Sequence, residues 1–177
     1  MTDSLFFDSD CISAFLWVKK ESILAQLYTG RIVIPKSVYE ELSYPRIAHL
    51  KARVDKMILE KQAWIEAIEI DTKEYQTYYK LTVLPEEGSV VIGKGEAAAI
   101  VLAQSRGGVI ASNNLKDICF YVKRYGLRYM TTGDILVDAF QNEIITEEQG
   151  NLIWENMLAR RRKIGANSFS DYLLSVC

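Results

Sequence analysis

The most constraining feature of the sequence is an apolar run, Leu5-Phe6-Phe7, that leads directly into two acids, Asp8 and Asp10. A short unbroken apolar run predicts a strand that is buried on both faces. The residues that follow repeat apolar side chains with a helical period, which predicts a helix packed on that strand. Because ligands bind at the carboxyl ends of parallel strands, Asp8 and Asp10 are candidates for a functional site.

Four further stretches predict strands, and segments with a helical pattern separate them along the chain. These stretches are residues 32–34, 64–70, 109–112 and 127–130. Strands that alternate with helices predict an α/β fold with a mainly parallel central sheet of about five strands, covered by helices on both faces.

We expect one domain over residues 1–177, because a chain of 177 residues suits one hydrophobic core. Within it we expect a core over residues 5–140 and a C-terminal helical extension over residues 146–177. Proline and glycine predict a loop over residues 83–88. Thr132 is predicted to cap a helix over residues 135–140, and Thr146 with Gln149 has the arrangement of a capping box.

The composition is that of an ordinary globular protein, with 49% hydrophobic and 25% charged residues. The net charge of -2 excludes a global attraction to nucleic acid, so any RNA contact needs a local basic patch. We expect no signal peptide and no membrane-spanning stretch. Cys11, Cys119 and Cys177 lack the spacing of a metal site, so we expect free thiols and a reducing, cytoplasmic location.

Acidic and amide side chains recur after the predicted strands and at the start of one helix. The set consists of Asp8, Asp10, Glu41, Glu96, Asn113, Asn114 and Asp117. Each member alone has a simpler explanation as a helix cap or an exposed charge. Together they offer hard oxygen ligands without a nearby Cys or His, which favours Mg²⁺ or Mn²⁺ over zinc. The single histidine, His49, is expected at the surface, which leaves no Ser-His or Cys-His pair.

At these motifs the chain resembles the PIN domain, the fold of the VapC-type toxin ribonucleases, and the resemblance covers residues 5–140. Residues 7–10 resemble the family's first-strand Asp followed by Ser or Thr. Residues 34–42 resemble the segment that supplies its second acid, here Glu41. Residues 93–100 resemble the Gly-Glu-Ala helix start of one PIN branch, with Glu96 as the third acid. The resemblance implies a three-layer α/β/α sandwich.

Residues 109–114 fall where the family has an apolar strand and then Thr or Ser, any residue, and Asp. Asn114 occupies the position where the family has this Asp. Its carbonyl oxygen can still bind a metal ion but carries no negative charge. Asp117, one helical turn beyond, is predicted to supply the missing charge. Asp134 stands where the pattern has a small residue, and it is either a replacement acid or a helix cap.

The resemblance implies a metal-dependent ribonuclease in which one or two Mg²⁺ or Mn²⁺ ions activate water, without a protein nucleophile. The implied catalytic residues are Asp8, Glu41, Glu96, Asn114 and Asp117. The implied metal ligands are Asp8, Asp10, Glu96 and Asp117. The implied substrate contacts are Lys94, Lys116, Ser112 and Asn113. The basic run at residues 160–163 is interpreted as the cation-rich end of a helix.

The family also implies partners, namely RNA and a small antitoxin protein, and a homodimer is an open alternative. A C-terminal surface with Trp154, Met157 and Leu158 is a candidate for such contacts, unless these side chains pack on the core. Two other functions stay open. One is a non-catalytic PIN module that binds protein or RNA. Asn114 in place of the expected Asp would explain its loss of catalysis. The other is a haloacid-dehalogenase-like phosphatase, because residues 6–10 also resemble that family's Asp-x-Asp motif.

Overall fold

The structure, a computed structural model, describes residues 3–85 and 90–176. Residues 86–88 of the predicted loop and the thiol of Cys177 therefore lie outside the described residues. Five parallel strands form one sheet in the order β3-β2-β1-β4-β5. The strands are β1 (Leu5–Phe7), β2 (Ile32–Pro35), β3 (Ala63–Glu66), β4 (Val109–Ala111) and β5 (Arg128–Met130).

Ten α-helices surround the sheet in the described residues. They are α1 (Ser9–Trp17), α2 (Glu21–Tyr28), α3 (Lys36–Glu41), α4 (Ala48–Leu59), α5 (Lys73–Thr82), α6 (Lys94–Arg106), α7 (Leu115–Tyr125), α8 (Thr132–Gln141), α9 (Glu147–Ala159) and α10 (Phe169–Val176). A short 3-10 helix, Pro45–Ile47, precedes α4. Among the described residues, none of these helices is both long and apolar enough to cross a membrane.

The central strand β1 shows why the sheet is covered on both faces. Leu5 and Phe7 belong to one core, which α1 to α4 and α8 to α10 cover, whereas Phe6 belongs to a second core under α5 to α7. All three side chains are at most 1% exposed. Alternate residues of a strand point to opposite faces, so an all-apolar strand suits a sheet buried on both sides. The predicted α/β/α sandwich with a parallel five-stranded sheet is thus confirmed.

The largest difference in strand length from the prediction is at β3, and the partner strand β2 decides it. β3 was expected over residues 64–70, but it pairs with β2 only from Ala63 to Glu66, where β2 ends at Pro35. The expected capping role of Thr132 is wrong. Thr131, whose backbone is extended, caps α8 by accepting a hydrogen bond from the Asp134 amide with its side chain, and Thr132 is a buried residue of the helix. The capping box at Thr146 is confirmed.

The C-terminal helices pack on the first core. Trp154 and Met157 of α9 are fully buried, which favours the alternative that these two side chains pack on the core, and Leu158 is 39% exposed. The indole of Trp154 donates to the carbonyl of Ala166 at 3.0 Å. A Cβ at Gly150 would lie 2.2 Å from the Phe169 ring, so glycine there allows α10 to approach α9. This packing fixes the turn after α9 close to α1.

Candidate active site

The site begins at the carboxyl end of β1, where the sheet order reverses between β1 and β4. In open α/β sheets this switch point is the usual place for a ligand. Asp8 follows β1 and caps α1, and its Oδ1 accepts a hydrogen bond from the Cys11 amide at 2.7 Å. Ser112, which follows β4, donates its hydroxyl hydrogen to Asp8 Oδ2. Both oxygens of this carboxylate are therefore held in place.

Asp8 is 1% exposed, and burial raises its pKa to about 7. The charges of Asp10 and Glu96 raise this pKa further, whereas the hydrogen bonds from Ser112 and Cys11 lower it. A carboxylate with this pKa at a strand end is typical of a functional site, and a nearby cation would lower the pKa again.

Glu41 is the last residue of α3, the helix that follows β2. The Ser9 hydroxyl donates to its Oε2, so α1 holds the acid from the other side. Its neighbour Glu40 faces away, with a side chain 64% exposed and 3.9 Å from Lys36. The sequence offered two adjacent glutamates, and the structure directs only Glu41 toward Asp8.

Gly95 explains how α6 comes close enough to join the site. A Cβ at this position would lie 2.8 Å from Ser9 Oγ and 3.3 Å from Glu41 Oε1. The next residue, Glu96, accepts a hydrogen bond from the Gly93 amide at 3.1 Å, which completes a capping arrangement at the start of α6. Burial raises the pKa of Glu96, and the charges of Asp117 and Glu41 add to this effect.

Asn114 connects two of the acids. Its Nδ2 donates to Glu96 Oε1 at 2.5 Å and to Asp117 Oδ2 at 2.7 Å. Its backbone amide donates to Ser112 Oγ at 3.1 Å, so Ser112 links Asn114 to Asp8. Asp117 is exposed and lies at the edge of the site. A neutral amide thus donates hydrogen bonds to two carboxylates and reduces the repulsion between their charges.

Four carboxylates meet in one small pocket of about 200 Å³. The residues that line it are Asp8, Ser9, Asp10, Glu41, Gly93, Gly95 and Glu96. Among the described residues, no Lys or Arg lines this pocket. The acids of the first, second and third sequence motifs are therefore neighbours in space.

The donor set fits a hard divalent ion such as Mg²⁺ or Mn²⁺, which prefers carboxylate oxygens. Burial is the main cause of the raised pKa values of Asp8 and Glu96, and a cation in the pocket would lower both. Within residues 3–85 and 90–176, however, no three acidic, histidine or cysteine side chains already form a group that could hold an ion. Each carboxylate is instead oriented by a hydrogen-bond donor of the protein.

The remaining predicted residues lie around the pocket without lining it. Ser112 is fully buried. Asn113 accepts from the Thr132 amide and donates to its hydroxyl, both at 2.9 Å, which ties the end of β4 to α8. Lys94 and Lys116 are exposed at the first turns of α6 and α7.

Asp134 is a helix cap in this structure. Its Oδ2 accepts hydrogen bonds from the backbone and hydroxyl of Thr131, at 2.8 and 2.9 Å. Its Oδ1 accepts from the hydroxyl of Tyr172 in α10 at 2.8 Å. Both oxygens are engaged by these donors, and Asp134 does not line the acidic pocket, which favours the capping alternative over a replacement acid.

Sequence reasoning missed Arg162 as a neighbour of the site. Its Nη1 lies 3.4 Å from Asp10 Oδ1 and 3.4 Å from Ser13 Oγ. The basic run was interpreted as the cation-rich end of a helix, but α9 ends at Ala159 and its last turn carries no basic residue. The run follows the helix and turns back toward α1. Ser9 was also missed as the donor to Glu41, although its place between two acids was a signal.

A family model described as a PIN domain matches residues 5–175. This match extends beyond the resemblance over residues 5–140 and includes α9 and α10. No curated protein matches the chain. Because the match covers nearly the whole chain, the protein belongs to the PIN domain family, which decides against the phosphatase alternative. PIN domains are generally nucleases and typically use divalent metal ions.

Proposed function

We propose that this PIN-domain protein is a Mg²⁺- or Mn²⁺-dependent ribonuclease whose active site is the acidic pocket. The observation that supports this proposal best is the meeting of Asp8, Asp10, Glu41 and Glu96 in one pocket at the carboxyl edge of the sheet. Such a concentration of negative charge is costly for a protein without a cation, and it is typical of a site that binds one.

The residues that would hold the ion are Asp8, Glu41 and Glu96, with Asp10 beside them. When bound, a divalent ion would neutralise charge on the scissile phosphate and make water a stronger nucleophile. Asp117, which accepts a hydrogen bond from Asn114, would add its negative charge at the edge of the site.

The protein's own part is to orient the acids. The Cys11 amide and the Ser112 hydroxyl hold Asp8, Ser9 holds Glu41, and the Gly93 amide holds Glu96. A carboxylate has about four lone-pair sites, so each acid can keep its protein donor and still accept another partner. Glu41 and Asp8 are therefore candidates to take a proton from the attacking water.

The substrate would be RNA, with Lys94 and Lys116 as exposed cations near the rim. By analogy with VapC-type toxins, a small antitoxin is a candidate partner, a homodimer is an alternative, and the cytoplasm is the expected location. These finer assignments rest on family analogy alone.

The test is cleavage of a mixed RNA pool in Mn²⁺, Mg²⁺ or EDTA by the wild type, Asp8→Asn and Asp117→Asn, with Glu40→Gln as the matched control. We expect cleavage only with metal ions, abolished by Asp8→Asn, reduced by Asp117→Asn and unchanged in Glu40→Gln. Cleavage that persists in EDTA or in Asp8→Asn would contradict the proposal. Loss in Asp8→Asn alone would remove the role of Asp117.

A second candidate is a PIN module that binds RNA or protein without cutting it. The observation that favours it is the Asn114 amide, which already compensates Glu96 and Asp117 with two hydrogen bonds. Absence of cleavage by a folded wild type under all metal conditions would favour this candidate. Gain of cleavage in Asn114→Asp would identify the amide as the cause.

A further inference from the structure

A groove beside the acidic pocket carries features of a nucleotide site. We propose that this aromatic groove, formed by Trp17, Tyr44, Ile47, Leu50 and Arg162, binds a nucleotide of single-stranded RNA next to the scissile phosphate. The inference rests on the proposed ribonuclease function and names the part of the site that recognises substrate. The groove has a volume of about 550 Å³, which lies within the usual range of small-ligand sites.

The aromatic groove is continuous with the acidic pocket. Ser9 and Glu41 line both cavities, and they are joined by a hydrogen bond. A chain whose phosphate reaches the acids would therefore extend its next nucleotide into the groove. The groove runs from this boundary toward the 3-10 helix at Pro45–Ile47.

The walls of the groove suit an unpaired base. Leu42 and Leu50 are buried at 2% and 1% exposure and form an apolar floor, while Tyr44 at the rim is 66% exposed. Trp17 is half-buried, and its ring lies 4.9 Å from the His49 ring and 5.6 Å from the Arg160 guanidinium carbon. Exposed aromatic rings bind single strands because every base can stack on them.

Arg162 stands at the boundary between the groove and the pocket. Besides its contacts with Asp10 and Ser13, its Nε donates to the carbonyl of Arg160 at 3.1 Å, which fixes the guanidinium. Among the described residues, its Nη2 has no hydrogen-bond acceptor. The guanidinium can therefore bind a phosphate that the neighbouring acids would otherwise repel.

These features favour single-stranded over duplex RNA. In a duplex the bases are stacked and paired, so they are not free to enter an apolar groove beside an aromatic ring. A single strand presents a base to Tyr44 and the adjacent phosphate to Arg162 at the same time.

The test measures RNA binding rather than cleavage. A fluorescent single-stranded RNA is titrated with protein in EDTA. The titration is repeated in Mg²⁺ with every protein also carrying Asp8→Asn, so that the RNA is not cut. We expect Tyr44→Ala to weaken binding about 5- to 100-fold through lost stacking. We expect Arg162→Gln to weaken binding and to lower the slope of log K against log salt by about 0.7.

Two matched controls use exposed residues of the same types elsewhere. Tyr129→Ala, on the edge strand β5, and Arg161→Gln, in the same basic run but outside the groove, should bind within about twofold of the wild type. Thermal melting checks that each variant is folded. Duplex RNA of the same sequence should bind more weakly and show no sensitivity to Tyr44→Ala.

The outcomes separate this inference from the proposed function. Equal binding by the wild type, Tyr44→Ala and Arg162→Gln would overturn the groove even if the protein cuts RNA. Failure of the wild type to bind single-stranded RNA in either condition would overturn it as well. Binding with the expected sensitivity but without metal-dependent cleavage would sustain the groove and refute the ribonuclease.

Discussion

The amide nitrogen Nδ2 of Asn114 lies 2.5 Å from the carboxylate oxygen Oε1 of Glu96. The same nitrogen donates to Asp117, one helical turn further along α7. A neutral donor thus stands where the PIN pattern has an acid. It reduces the repulsion among the carboxylates without a metal ion, because an amide supplies two N–H groups and no negative charge.

Replacing this donor by an acid should make the protein depend on metal. In Asn114→Asp, two hydrogen bonds are lost and a further carboxylate joins Glu96 and Asp117. We expect the free energy of unfolding in EDTA to fall by about 1–3 kcal/mol. Denaturant unfolding with and without Mn²⁺ measures the effect, and Mn²⁺ should stabilise the variant more than the wild type. A variant as stable as the wild type in EDTA would contradict this role of the amide.

Stability should fall as pH rises, because the pKa of Asp8 is about 7 in the folded protein and 3.8 is its ordinary value. The folded state binds the proton more tightly, so the stabilisation is complete below about pH 4 and is lost by about pH 7. The full loss in the free energy of unfolding is roughly 4 kcal/mol, because each pKa unit of difference between the folded and unfolded states corresponds to about 1.36 kcal/mol.

Unfolding in EDTA at about pH 5 and about pH 8 checks this pH dependence. Asp8→Asn resembles the protonated acid and should show a smaller difference between the two pH values. The raised pKa of Glu96 acts in the same direction in both proteins. An equal or larger loss of stability at high pH in Asp8→Asn would refute the assignment to Asp8.

Asp134 should matter for stability and not for cleavage. Asp134→Ala removes the acceptor of the Thr131 backbone and of the Tyr172 hydroxyl. The loss of such a cap costs about 0.5–2 kcal/mol. Thermal unfolding should show this loss, while the rate of RNA cleavage per folded molecule stays at the wild-type value. A folded variant without activity would restore Asp134 as a replacement acid.

The sheet could be predicted from the sequence because local patterns carry it. Leu5, Phe6 and Phe7 are all apolar, and the two cores use both faces of that strand. β3 was harder, since apolar residues continue beyond Glu66 while the partner strand β2 ends at Pro35. The length of an edge strand depends on its neighbour as well as on its own residues.

The acids of the site could be identified as candidates, but their arrangement could not. Nothing local distinguishes Glu41 from Glu40, whereas in the fold Ser9 on α1 donates to Glu41 and Glu40 lies exposed near Lys36. Arg162 and Asp10 are 152 residues apart and meet because α9 packs near α1. The local signal at Arg162, a run of cations at the expected end of a helix, indicates an interaction with the helix dipole, whereas α9 ends at Ala159.

The neighbouring glutamates Glu40 and Glu41 provide the most direct test of the central claim that the acidic pocket binds a divalent ion. Calorimetric titration with Mn²⁺ at neutral pH compares the wild type, Glu41→Gln and Glu40→Gln, which change the same charge one residue apart. We predict one saturable site in the wild type, unchanged in Glu40→Gln and weakened about 10- to 100-fold in Glu41→Gln. Equal Mn²⁺ affinity in both variants, or no saturable binding by the wild type, would contradict the claim.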